Sequence, residues 1–238
     1  MTADRTQELA ANLGAVRARI DDACRAAGRL PDEVTLIVVT KTWPASDVRR
    51  LAALGVCDVG ENRDQEASLK AAETDGLGLR WHFVGQLQTN KAVSVARYVD
   101  LVHSVDRLSL VQALDKGAAK AQRRLGCLVE VDLTDGEAGR GGISTDGVLG
   151  LADSIAASPH LELLGVMGVA PLAPEHQREV SARAFDRLAA LSVQMRSGHP
   201  QARVISAGMS DDLEEAVAAG ATHLRVGSAI LGSRASLG

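Results

Sequence analysis

Aromatic residues are scarce in this chain: Trp43, Trp81, Phe83, Tyr98 and Phe185 make up 2% of 238 residues. A surface that stacks nucleic-acid bases needs several such rings beside a basic groove. Formal net charge is −4, so an extended polyanion-binding face is not expected either. Nucleic acid is therefore not expected as a partner. Cysteine is equally sparse. Cys24, Cys57 and Cys127 form no Cys-x-x-Cys pair, and an odd set makes no complete disulfide framework. Cys57 and Cys127 lie inside apolar runs, which predicts that both are buried and reduced. No apolar run approaches the ~18–20 residues that span a bilayer. The opening Met1-Thr2-Ala3-Asp4-Arg5-Thr6-Gln7-Glu8 lacks the basic end and apolar middle of a signal peptide. These absences predict a cytoplasmic protein with no membrane partner. His82, His103, His160, His176, His199 and His223 show no metal-ligand spacing, so no metal is expected.

What is present is an ordinary globular balance, 46% hydrophobic and 24% charged, with no linker-like stretch. One domain over residues 1–238 is the expectation. Leu9, Leu13, Val16 and Ile20 step by three and four within a helical segment at Thr6–Gly28. The β-branched run Val34–Thr40 reads as a strand covered on both faces. Further strands are predicted at Val56–Val59, Trp81–Val84, Leu101–His103, Cys127–Val131, Leu163–Met167, Arg203–Ser206 and His223–Val226. Helical patterns fall between them at Ala45–Leu54, Asn62–Ala72, Asn90–Arg97, Arg107–Gln122, Thr145–Ala157, Val180–Arg196 and Asp211–Ala219. Eight strands alternating with helices predict an α/β fold, a (β/α)₈ TIM barrel with an extra N-terminal helix; a doubly wound open sheet is the rival.

Active faces of such barrels lie at the carboxyl ends of the strands. Lys41 follows the first strand directly and is one of only five lysines, with Lys70, Lys91, Lys116 and Lys120. An amine entering the barrel mouth would be desolvated and so become a better nucleophile toward a carbonyl. Gly208-Met209-Ser210-Asp211-Asp212 opens a helix with Ser210 placed as its N-cap, and Gly227-Ser228 ends the last strand. Loops after strands seven and eight are the usual phosphate site of these barrels. Arg225 shares the direction of Gly227 by alternation; whether that direction is inward is left open by the pattern. In Gly139-Arg140-Gly141-Gly142 the third glycine position of the motif falls on Ser144 and no Lys-Ser/Thr follows, so it supports no nucleotide loop. His82 and His103, both on strands, read as satisfied core histidines, and Glu61 with Asp132 as a conceivable carboxylate pair.

Several ordered blocks resemble the pyridoxal phosphate homeostasis proteins, barrels related to the N-terminal domain of bacterial alanine racemase. They are Val39-Thr40-Lys41-Thr42-Trp43-Pro44, Gly60-Glu61-Asn62, Trp81 through Lys91, Gly165-Val166-Met167, Ser206 through Asp212, and Val226 through Arg234. The resemblance implies pyridoxal 5′-phosphate (PLP) held covalently as a Schiff base on Lys41. It also implies that Ser210, Gly227 and Ser228 hold the phosphate, that Arg225 faces the pyridine nitrogen, and that Asn62 and Met209 line the cofactor. Trp43 and Arg63 depart from the family's usual residues, and Ser228 stands where threonine is usual. Arg140 replaces a lysine common in relatives, and arginine forms no imine at neutral pH.

An arginine beside the ring nitrogen disfavours its protonation and makes the ring a poorer electron sink. Racemisation needs an acid/base group on each substrate face, and Tyr98, the single tyrosine, precedes strand four at the far end of the barrel. The resemblance therefore implies a PLP carrier without catalytic residues, acting in intracellular PLP homeostasis as a monomer, with PLP-dependent apo-enzymes as recipients. The alternative is an amino-acid racemase using Lys41 and a group such as His82. A Schiff-base aldolase ranks below both, because it would need a lysine on the middle strands.

Overall fold

The β-branched-rich sequence Thr35–Val39 (β1) forms the strand on which the sheet closes. In the computed structural model, which describes residues 2–134 and 141–232, β1 lies parallel to β2 (Asp58–Glu61) on one side. On its other side it lies parallel to β8 (His223–Val226), with Val38 opposite Val59 and Val226. Between them run β3 (Arg80–Phe83), β4 (Leu101–Val105), β5 (Leu125–Val131), β6 (Leu161–Gly168) and β7 (Val204–Ser206). Every neighbouring pair is parallel and the ring is closed, so the barrel expectation holds and the open sheet is excluded.

Helices cover the outside: α2 (Ala45–Ala53), α3 (Asp64–Glu73), α4 (Ala92–Val95), α5 (Leu108–Lys120), α6 (Val148–Ala156), α7 (Gln177–Gly198) and α8 (Leu213–Ala218). The main core is the layer between these helices and the outer strand faces, built on residues such as Val59, Phe83, Val102, Val129, Val166 and Leu224. The extra helix, α1 (Thr2–Ala26), buries the predicted Leu9, Leu13, Val16 and Ile20 and packs on α8 and on a short α9 (Ser228–Leu231). Asn12 donates to the Ile230 carbonyl at 3.0 Å, and Arg5 to that of Leu231 at 3.0 Å, which pins α1 across the closing seam.

Several boundaries differ from the sequence reading, for local reasons. The second strand starts at Asp58 and includes Glu61, whose charge reads as a loop but is buried against Lys70. Cys57 therefore sits in the loop before the strand and is exposed, against expectation, whereas Cys24 and Cys127 are buried; all three are free thiols. The helix expected from Asp211 begins at Leu213. The segment expected from Asn90 shrinks to a 3₁₀ turn at Thr89–Lys91 followed by α4. The helix α9 was not expected at all.

This burial pattern predicts that a maleimide labels one thiol in the native protein, at Cys57, and three after denaturation. Rapid native labelling of Cys24 or Cys127 would contradict the packing described.

Candidate functional site

The chain leaves β1 through a tight turn made of Thr40, Lys41 and Thr42. Thr40 is fully buried; its N–H donates to the Gly60 carbonyl at 2.9 Å and its hydroxyl to Glu61 Oε1 at 2.6 Å. Thr42 adopts φ +67, a left-handed conformation costly for a β-branched residue. It is held there by its N–H, which donates to Glu66 Oε1 at 2.6 Å. Behind the turn stands Lys70, buried on α3. Its ammonium donates to the Thr40 carbonyl (2.8 Å), Glu61 Oε1 (2.7 Å) and Glu66 Oε1 (2.7 Å), which uses all three of its protons. Burial pushes the Glu61 carboxyl up, against the bonds from Lys70 and Thr40 that pull it down. Lys41 itself is exposed at the barrel rim, so the desolvation expected for it is absent; no ion pair engages it among the described residues. Next to it Trp43 stacks under the Arg5 guanidinium, 4.4 Å from the ring centroid, and Arg5 also pairs with Asp47 at 2.8 Å. The unusual Trp43 thus ties α1 to the lysine turn.

Pairing of β1 with β8 sets the loops after β7 and β8 beside that turn. Gly227 passes so close to the end of β1 that an added Cβ would lie 3.1 Å from the Val39 carbonyl oxygen. Ser210 Oγ and Ser228 Oγ lie 3.0 Å apart, and the Ala229 N–H donates to Ser210 Oγ at 3.3 Å. Ser210 is not the N-cap of α8. Asp212 takes the position before the helix, its carboxylate accepting from the Met209 N–H at 2.7 Å and the Ser181 hydroxyl at 3.3 Å. That arrangement turns the Ser210 hydroxyl toward Ser228. Met209 is 38% exposed at the rim. Asn62 follows β2 directly, and Gly85 after β3 presses on it: a Cβ there would come within 2.6 Å of the Asn62 Cβ.

Arg225 points into the barrel and is buried, which resolves the direction left open by alternation. Its guanidinium donates to Ser206 Oγ at 2.6 Å and to the Gly168 carbonyl at 3.0 Å. Desolvation brings its pKa down to about 10, still a cation at neutral pH. Glu130, near the top of β5, borders a cavity of about 370 Å³ with Asp132, Thr134, Ala170, Leu172 and Met209. Its Oε2 is buried without a hydrogen-bond partner among the described residues, and burial raises the carboxyl to about 7.

Lys41, Asn62, Met209, Ser210, Gly227 and Ser228 each follow the carboxyl end of β1, β2, β7 or β8, Arg225 lies on β8, and Ser210 touches Ser228. Glu61 and Asp132 do not pair: Glu61 serves Lys70, and Asp132 accepts from the Thr134 N–H at 2.8 Å and hydroxyl at 2.6 Å. Tyr98 donates to Asp64 at 3.1 Å at the start of α3. Arg140 lies outside the described residues, as do Gly139 and the Ser233-Arg234 end of the closing block. Sequence reasoning missed Lys70 and Glu130. A lysine four residues after Glu66 on a helix was the available signal for the first.

Fold and mouth define a barrel of the alanine racemase N-terminal class. The family model described as alanine racemase, N-terminal domain, matches residues 11–235. The pyridoxal phosphate homeostasis protein of Mycobacterium tuberculosis is 44% identical, over 97% of this chain and 95% of that one. The Escherichia coli protein of the same name is 36% identical, over 95% and 97%. PipY of Synechococcus elongatus, solved with PLP bound, aligns with a TM-score of 0.82 at 31% identity, over 94% of this chain and all of that one. The chain belongs to the pyridoxal phosphate homeostasis protein family.

Two outcomes are expected from these buried charges. Lys70→Met strands Glu61 without its cation and should cost about 3–5 kcal/mol in chemical denaturation; a loss below 1 kcal/mol would remove Lys70 as the clamp. Glu130 has a folded pKa above its unfolded value, so between about 4.5 and 7 the folded state binds more protons. Its contribution to stability therefore falls as pH rises through that window. Glu130→Gln should remove this slope and stabilise the protein at pH 8 by on the order of 1–3 kcal/mol. An unchanged slope in pH-dependent denaturation would contradict the assignment.

Proposed function

We propose that this chain holds PLP reversibly on Lys41, as an intracellular reservoir, without substrate turnover. The observation that carries the reading is the seam between β1 and β8. It puts an exposed lysine after one strand and, after its paired neighbour, a glycine that admits close backbone approach and a serine whose hydroxyl meets that of Ser210. These residues suit the group. A phosphate is met by hydroxyls and backbone N–H donors, and a ring nitrogen that stays unprotonated is met by a guanidinium with only two of its five N–H protons engaged. When bound, PLP supplies an aldehyde that condenses with an amine and loses water. Family membership, and a relative solved with PLP bound, support the same choice.

In this reading Lys41 provides the amine, and the Lys70 clamp keeps the Thr40–Thr42 turn from drifting while the Lys41 side chain stays mobile enough to release its cargo. Ser210, Ser228 and the Gly227 backbone anchor the phosphate, so retention does not rest on the covalent link alone. Asn62 and Met209 cover the ring. Arg225 keeps a positive charge beside the ring nitrogen and so suppresses the electron withdrawal that turnover needs. Tyr98, the single tyrosine, is engaged with Asp64 in the helical layer. A free aldehyde attacks amines and thiols indiscriminately, which gives masking a chemical rationale. Delivery to PLP-dependent apo-enzymes, a monomeric state and residence in the cytosol belong to the same proposal. No described helix is long and apolar enough to cross a membrane.

Adding PLP should give a yellow protein, and Lys41→Ala should abolish that colour. Ser210→Ala with Ser228→Ala should weaken PLP retention by about 10–100-fold while the colour still forms at saturation. Polarimetry with L- and D-alanine should detect no sustained racemisation. Robust turnover would contradict the reservoir reading, and full colour in Lys41→Ala would contradict the lysine.

A further inference from the structure

Five side chains from five strands meet inside the barrel. Arg225 (β8) donates to Ser206 Oγ (β7) at 2.6 Å, and Ser206 Oγ lies 2.9 Å from His103 Nδ1 (β4). His103 Nε2 lies 3.0 Å from His82 Nδ1 (β3), and His82 Nε2 lies 2.8 Å from Asp58 Oδ1 (β2). Asp58 Oδ2 accepts from Arg80 at 2.7 Å on the amino-terminal rim, where the Arg80 side chain is 62% exposed. The step from His103 to Ser206 joins non-neighbouring strands, so it crosses the lumen. Asp58, His82, His103, Ser206 and Arg225 are each at most 5% exposed.

We propose that Asp58, His82, His103 and Ser206 are positioning residues for Arg225. They form one directional hydrogen-bond relay that spans the barrel and fixes both imidazoles as neutral Nε2–H tautomers. With both imidazoles neutral, as proposed, the direction follows from the donor inventory. An ionised Asp58 only accepts, so His82 Nε2 carries a proton. Neutral His82 then has a bare Nδ1, which takes the proton of His103 Nε2. Neutral His103 in turn has a bare Nδ1, which takes the single hydroxyl proton of Ser206. The serine oxygen is filled from behind by Arg225, which only donates. Burial, reinforced by the charge of Arg225, holds the His103 pKa well below its ordinary value. His223, whose ring centroid is 6.4 Å from that of His82, is pushed down to about 4 and adds no charge at neutral pH. Hydrogen bonds in such a chain polarise one another in a low-dielectric interior. The relay thus links the Asp58 carboxylate to a buried cation whose direct partners are neutral oxygens. It also sets the guanidinium plane at the mouth. That this plane serves a cofactor ring rests on the function proposed above; the relay itself does not.

The test begins with ¹⁵N-histidine-labelled full-length protein at neutral pH without PLP, in which long-range ¹H–¹⁵N spectra report each ring nitrogen. Both His82 and His103 should read as neutral Nε2–H tautomers. An Nδ1–H form of His103, or an imidazolium at His82, reverses the chain and overturns the proposal. The second arm compares His82→Gln, which keeps one acceptor and one donor, with His82→Leu, which keeps only volume. His82→Gln should preserve the His103 tautomer and PLP affinity within about twofold. His82→Leu should change that tautomer and weaken PLP binding about tenfold. Equal behaviour of the two variants would show that the relay does not reach Arg225. If the wild-type protein takes up no PLP, the cofactor reading fails while the tautomer result still decides the relay.

Discussion

Closure of the barrel between β1 and β8 is the constraint from which the rest of the site follows. Val38 sits opposite Val226, so Lys41 follows one of two paired strands and Gly227 and Ser228 follow the other. The seam is close-packed: Gly227 leaves no room for a side chain against Val39, and α1 is bonded across α9 by Asn12 and Arg5. Ser210 then joins the group through its contact with Ser228. A chain with the same strands in an open sheet would have placed these loops at opposite edges.

Two buried polar systems hold this seam from different sides. Outside the barrel wall, Lys70 gathers Thr40, Glu61 and Glu66 and maintains the left-handed turn at Thr42. Inside the wall, Arg225 is tied to Ser206 and Gly168. Buried ions are costly unless fully paired. Lys70 is saturated by three oxygens, whereas Arg225 meets two, Ser206 Oγ and the Gly168 carbonyl. The buried parts therefore carry paired charges, and Lys41, which does the proposed chemistry, stands exposed at the rim.

Much of this was legible in the sequence because a strand's end is easy to recognise. Lys41 after Thr35–Val39, Gly227 after Leu224–Val226 and Ser210 after Ile205–Ser206 could be placed without coordinates, and the resemblance to a family then gave them roles. Boundaries failed where charge was read as exposure: Glu61 ends a strand because Lys70 neutralises its surroundings, and Cys57 lies outside the strand because Asp58 starts it. Ser210 does not cap the helix because α8 starts only at Leu213, so Asp212 holds the position before it and turns its carboxylate back to the Met209 N–H. The interior relay was not legible at all. Asp58, His82, His103 and Ser206 come from separate strands, one residue each, and nothing in their spacing encodes the transverse register that brings them together. Barrel interiors are usually branched and apolar; here an apolar cluster of Leu101, Leu128 and Met167 accounts for only part of the lumen.

The central claim is that one lysine among five takes the cofactor, chosen by position and not by abundance. Reduction of the PLP-loaded protein with borohydride, followed by peptide mapping in a mass spectrometer, addresses it directly. The account predicts a phosphopyridoxyl mass on the peptide carrying Lys41 and none on those carrying Lys70, Lys91, Lys116 or Lys120. Label spread across the exposed lysines, or seated on Lys70, would contradict it.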